Sequence, residues 1–237
     1  TGYYDSSCRE YIANPLLTYL AMRIGQTVKA RGKKSFLILA ESYWGRERYL
    51  ARTAFMPYNS ALFKICEKVI QGLSDVREIY HLYGEYYSSA LPNGTMLLGI
   101  LGNHDERRPL NTFGERGLRA AVGLIVFLNA IVMDFEGNAE GEGWKIFVDN
   151  IFVNWNAFEA MANRGVQSFY KEIYKFHANN TGDAHLVWAN NNHVAAVALF
   201  TETAIWLGAF NFSESGQEAY IQFDDPAEAP WEEILIA

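Results

Sequence analysis

Apolar residues recur along this chain in two rhythms. Leu16, Leu17, Leu20, Ala21, Ile24 and Val28 follow the three-and-four spacing of a helix face, Pro15 suits a first turn, and Gly32 stops the pattern. A helix is predicted over 14–31. "SFLILAES" is then an unbroken apolar run of strand length, the pattern of a parallel strand buried on both faces. "TAFMPY" (53–58) reads as a shorter strand, and "NSALFKICEKVIQGL" sets Leu62, Ile65, Val69 and Ile70 on one helical face. "GTMLLGILGN" (94–103) is a second buried strand, "GERGLRAAVGLIVFL" a helix and "NAIVMDFEG" a strand. Strand and helix thus alternate from about 35 to 176, the signature of βαβ units and a parallel sheet.

Beyond 178 the rhythm changes. The polar stretch "NNTGDAH" leads into closely spaced strands, "HLVWANN", "HVAAVALFT", "AIWLGAFNFS" and "AYIQFD", which predict a small antiparallel β domain over 179–237.

Composition removes partner classes. The 237 residues are half apolar, enough for a large core, and carry a net charge of −7. No basic cluster is longer than "RGKK", so a nucleic-acid partner is not expected. No apolar run approaches the ~20 residues of a membrane span, which predicts a soluble chain. No signal-peptide pattern opens it, favouring the cytoplasm, and the start at Thr1 implies processing or truncation upstream. Cys8 and Cys66 make no disulfide framework or metal spacing, and His81, His177, His185 and His193 are scattered without ligand spacing. An aromatic content of 15% offers flat faces with polar edges, suited to stacking on sugar rings as well as to filling a core.

The chemistry concentrates in "LLGILGNHDERRP" (97–109), where a buried strand opens into Asn103, His104 and Asp105. Gly-Asn-His-Asp after a strand resembles a metallophosphoesterase segment, in which Asn and His would ligate paired metals. That use needs upstream Asp-x-His and Gly-Asp-x-x-Asp elements, and residues 1–102 contain neither. The other reading starts from "LILAESYW", which sets Glu41 at the C-terminal end of a buried strand, where parallel α/β barrels place their active sites. Two acids at such strand ends, Glu41 and Asp105, suit glycosidic cleavage, which uses one carboxyl to protonate the leaving oxygen and a carboxylate on the other face of the sugar. Tyr43 and Trp44 give Glu41 the apolar neighbours in which a carboxyl holds a proton. Structural roles remain open for the same residues: Glu41 as a solvated strand-end acid, His104 as a core histidine, Asp105 as a helix N-cap.

These segments resemble the α-amylase superfamily of glycoside hydrolases and transglycosidases. "GILGNHDERR" resembles its seventh-strand motif, with Arg108 in the Arg place, and "LILAESYW" its fifth-strand motif, with Glu41 as general acid/base. "AIVMDFEGNAEGE" is similar to its eighth-strand segment, with Asp134, Phe135 and Glu136 where Gly-Asp-Glu is common. "VQSFYKEIYKFHANN" resembles the last barrel helix, and "AVALFTETAIWLGAFNFS" the strands of the β-sandwich that follows.

The resemblance implies an α/β fold: the C-terminal half of a (β/α)8 barrel over 1–178, about strands 4/5 to 8, then the sandwich. It implies a retaining glycosidase or glucanotransferase on α-linked glucans, with Glu41, Asp105 and a nucleophilic Asp as catalytic residues. His104, Asn103, Arg108, Tyr43 and Trp44 would bind the sugar. The nucleophile motif, Gly-x-Arg-x-Asp, is matched only by "TGYYD", with Tyr3 at the Arg place. Asp5 is then the nucleophile, or the nucleophile lies upstream of Thr1. If neither holds, the chain is a silent binding or scaffold protein. Calcium is frequent in the family, but its usual ligands fall in the barrel segment without a counterpart here. That missing half, or another copy of the chain, is the implied partner.

Overall fold

Four strands pair in the order in which the chain makes them. In the computed structural model β3 (Leu39–Ala40) lies parallel to β4 (Met56–Pro57), and β5 (Leu98–Ile100) parallel to β6 (Ile131–Met133). A parallel bridge from Tyr58 to Leu98, reinforced by Asn59 N–H donating to Leu98 O at 2.8 Å, joins the two pairs. Described are residues 3–5, 10–12, 15–34, 36–43, 47–51, 56–87, 97–103, 106–128, 130–134 and 165–222.

Between these strands run α2 (Glu47–Ala51), α3 (Ser60–Ile70), α4 (Arg77–His81), which continues into a π-helical turn at Leu82–Tyr87, and α5 (Pro109–Phe127). The α5 helix opens on Pro109, whose fixed φ suits a first turn, and breaks at Gly114, where φ is 64°. The sequence pattern begins the helix only there. Strand β5 is buried on both sides, as predicted: Leu98 and Ile100 cluster with Met56, and Leu97 and Leu101 join the helix-facing core. Helix α5 lies so close to β5 that a Cβ on Gly99 would sit 2.4 Å from Ile125 Cγ2.

After α6 (Val166–Asn179) the chain forms β7 (Gly182–Ala189), β8 (Val194–Thr201), β9 (Ile205–Asn211) and β10 (Ile221–Gln222), an antiparallel sheet in the order β10-β7-β8-β9. Strand β8 is covered on both faces. Ala195, Val197 and Leu199 join the main core, and Val194, Ala196 and Ala198 a second cluster with Val187 and Ala189. The main core runs without a break from α3 through α5 and α6 into β8 and β9. Tyr80, on α4, binds the two parts from the other side: its hydroxyl donates to Val187 O at 2.8 Å and accepts from Ala196 N–H at 3.1 Å.

Two expectations are corrected. Helix α1 (Pro15–Ala30) forms where predicted, but of its six periodic apolar residues only Ala21 is buried, and Leu16 is 58% exposed. On the adjoining segment Phe36, Leu37 and Leu39 are exposed too, so "SFLILAES" is not a strand buried on both faces. Among the described residues β3 pairs only with β4 and stands at the edge of the parallel set, where these residues leave its side chains uncovered. "TGYYD" does form a strand, β1 (Tyr3–Asp5), but it pairs antiparallel with β2 (Glu10–Ile12), Asp5 opposite Glu10, and joins no parallel strand among the described residues. Four residues separate β1 from β2, the length of a hairpin loop, whereas a parallel neighbour needs a crossover of a dozen or more.

His177 on α6 is partly buried, and burial holds its imidazole below the usual histidine range, against a smaller opposing pull from the Ala130 backbone. A depressed folded-state value means that the unfolded chain takes up the proton first, so stability is full above the unfolded value of ~6.5 and falls as pH drops below it. Thermal unfolding followed from pH 7.5 to 5 should show this loss, and His177→Gln should make the curve shallower. An unchanged slope in the variant would remove His177 from the account.

Candidate active site

The C-terminal ends of the four parallel strands bring their polar residues to one side of the sheet. Glu41 follows β3 directly, Tyr58 and Asn59 follow β4, Asn103 lies just beyond β5, and Asp134 follows β6. Parallel pairing in chain order is the cause, because it points every strand's C-terminus the same way.

Glu41 is exposed, and its Oε1 accepts a hydrogen bond from the Tyr43 hydroxyl at 3.1 Å. The apolar surroundings expected around this carboxyl are therefore not formed by the described residues. Asn103 is buried at 4% exposure and donates from Nδ2 to the Tyr43 hydroxyl at 2.5 Å, while its Oδ1 accepts from Glu106 N–H at 3.1 Å. Tyr43 thus brings Glu41 and Asn103 together, although they are far apart in sequence. Its ring meets Tyr58 edge-on, centroids 6.2 Å apart.

Asn59 supports this floor. Its Oδ1 caps α3 by accepting from Leu62 N–H at 3.2 Å, and its Nδ2 donates to the Tyr83 hydroxyl at 2.9 Å. Burial pushes the Tyr83 phenol well above its usual range, so it stays protonated at neutral pH. Glu47, fully buried, accepts from Ser60 Oγ at 2.6 Å and from Ala61 N–H at 3.2 Å, fastening the segment after β3 to the start of α3. Lys64 pairs with Glu106 at 3.1 Å across α3 and the turn after Asn103; both side chains are partly exposed, so the pair contributes less than about 1 kcal/mol. Arg108 is buried at the N-cap of α5, where its carbonyl accepts from Thr112 N–H at 3.1 Å.

His104, Asp105 and Trp44 lie outside the described residues. For Asp5 only the backbone is described, in the β1–β2 ribbon. Tyr58, Asn59 and Glu47 were missed in the sequence. "MPYN", a strand ending in an aromatic and a cap residue, held a weak signal for the first two, and "WGRERY" held none for a buried carboxylate. No group of three or more His, Cys, Asp and Glu residues is placed to hold a metal among the described residues. No described helix is long and apolar enough to cross a membrane.

By sequence, no protein-family profile and no curated protein matches the chain at a significant level. Solved structures do match it. A noncanonic maltogenic α-amylase from Thermotoga neapolitana superposes on 85% of the chain and 47% of its own length, with a TM-score of 0.65 and 12% identity. The cyclic α-maltosyl-(1→6)-maltose hydrolase of Arthrobacter globiformis, solved with maltose, covers 77% of the chain and 43% of its own length, with a TM-score of 0.66 and 16% identity. For a cyclomaltodextrin glucanotransferase of three-domain ABC distribution the figures are 82%, 41%, 0.66 and 16%. Over about four-fifths of its length the chain therefore has the fold of α-amylase family enzymes, and it spans under half the length of these structures.

Proposed function

We propose, from this shared fold, that the chain supplies the acid/base side of a retaining glycosidase or glucanotransferase acting on α-linked glucans. The observation that carries the reading is the meeting of Glu41 and Asn103, two motif residues on separate parallel strands, through one tyrosine hydroxyl at the C-terminal strand ends. Strands β3 to β6 then correspond to strands five to eight of the barrel, and the boundary with the β domain falls near 178/179.

In the proposed reaction Glu41 protonates the glycosidic oxygen as that bond breaks, and a carboxylate closes on the anomeric carbon. Glu41 next takes a proton from water or a sugar hydroxyl as the acceptor displaces the enzyme. Asp105 and His104 hold ring hydroxyls in the distorted transition state, with Asn103, Arg108, Tyr43 and Trp44 bordering the sugar. Asp5, or an acid outside this chain, is the nucleophile.

The complete protein should release the α-anomer first from a maltooligosaccharide, as followed by proton NMR within the first minutes. Initial release of the β-anomer would overturn retention. A silent, glucan-binding protein is the second reading, favoured by Tyr3 at the Arg place and by the antiparallel setting of Asp5. It predicts glucan binding with no turnover.

The exposed apolar residues of α1 and β3 make the remaining barrel, or a second copy of the chain, the proposed partner. The isolated 237 residues should therefore self-associate in sedimentation experiments. A stable monomer would show that this face needs no cover.

A further inference from the structure

The geometry points to Tyr43 as a positioning residue that fixes which oxygen of Glu41 carries the catalytic proton. This rests on the reading of Glu41 as the acid/base and goes beyond it, since it assigns the Tyr43 hydroxyl to the protein rather than to the sugar.

The polarity of the hydrogen-bond chain decides the matter. Asn103 Oδ1 is occupied by Glu106 N–H at 3.1 Å, so the amide turns its Nδ2 toward Tyr43. The phenol oxygen accepts that bond at 2.5 Å, and its own proton is directed to Glu41 Oε1 at 3.1 Å. An oxygen that is accepting a hydrogen bond is the poorer place for the carboxyl proton, so the acid form of Glu41 is protonated on Oε2. That oxygen would donate to the leaving group, and it is the one to which the proton returns in the second half of the reaction.

The arrangement is anchored where a surface carboxylate would otherwise wander. Glu41 is exposed and Asn103 is buried, so the hydrogen-bond chain ties a side chain just past β3 to the buried turn after β5. The Tyr58 ring, edge-on to Tyr43, restrains the phenol from the β4 side.

Two variants test this in the complete protein. Tyr43→Phe removes only the hydroxyl. Asn103→Asp keeps an acceptor for Glu106 N–H but replaces the donor facing Tyr43 with a second acceptor, which draws the phenol proton away from Glu41. In crystal structures of both, the Glu41 carboxyl should leave its wild-type position or spread over several. With a maltooligosaccharide as substrate, both should lower kcat about ten- to a hundredfold with KM little changed. With an α-maltosyl fluoride, whose leaving group needs no acid, the first-turnover release of fluoride should fall markedly less than maltooligosaccharide turnover, since only the second half of the reaction still calls on Glu41, as base.

An unmoved Glu41 in Tyr43→Phe overturns the proposal, as does an equal loss on both substrates or a change in KM alone. Glu41→Gln is the control that separates the two levels. If it keeps its rate on the maltooligosaccharide, the acid/base reading fails, and the crystallographic comparison still decides whether Tyr43 positions Glu41.

Discussion

Glu41→Gln is expected to lower turnover of a polymeric α-glucan by 10²–10⁴-fold, the usual contribution of a positioned general acid. The amide matches the carboxyl in shape, and its oxygen still accepts from the Tyr43 hydroxyl, so the local geometry survives. What disappears is a proton to give to the leaving oxygen. The loss should therefore fall on kcat, with glucan affinity and thermal stability close to wild type. Measured on the complete protein, more than about a tenth of the activity remaining on a substrate with a poor leaving group would remove Glu41 from the role. A matching loss of glucan affinity would instead make it a binding contact.

Phe127→Ala should cost about 3–5 kcal/mol, the usual range for truncating a buried aromatic. Phe127 ends α5 at 3% exposure, stacks on Phe176 of α6 at 4.9 Å and meets Phe210 of β9 edge-on at 5.4 Å. Gly208 of β9 makes room for it, since a Cβ there would come within 2.7 Å of the Phe127 ring. One ring thus joins α5, α6 and the antiparallel sheet, and alanine would leave a cavity at that junction. Against a typical domain stability of about 5–15 kcal/mol, such a loss brings the fold near its limit at 37 °C. Denaturant titration reads the change directly. A loss below about 1 kcal/mol would mean that the junction collapses around the gap, and that helices and sheet depend on one another less than their shared core implies.

What could be read in advance divides along physical lines. The helix over 14–31 and the strand near 98–100 were legible because apolar spacing is a local property, and both elements form. Their burial was not equally legible. Periodicity tells which face of α1 is apolar, but what covers that face is a long-range fact, and among the described residues it stays bare. The β1–β2 ribbon escaped notice because strands of three residues carry no measurable alternation. At the candidate site the Asn103 motif and Glu41 stood out as residue types at strand ends. The hydroxyl that joins them did not, since it depends on how the ends of two strands with β4 between them come within reach of each other. Glu47 is the sharpest case: a glutamate amid polar residues reads as solvent-facing, and only the packing of α3 encloses it.

Strand β8, paired on both edges and covered on both faces, gives the molecule an uneven resistance to opening. Its amides can meet solvent deuterium only when the antiparallel sheet and the helices against it come apart together, so their exchange reports the global unfolding free energy. Helix α1 stands at the other extreme, with one buried side chain to hold it and backbone bonds that open singly. Glu41 and Tyr43 lie nearer the loose end of this scale, just past an edge strand, and Asn103 nearer the tight end. The hydrogen bonds between them should therefore cross a boundary between slow-exchanging and fast-exchanging parts of one chain, which a partner seated on α1 and β3 would shift outward.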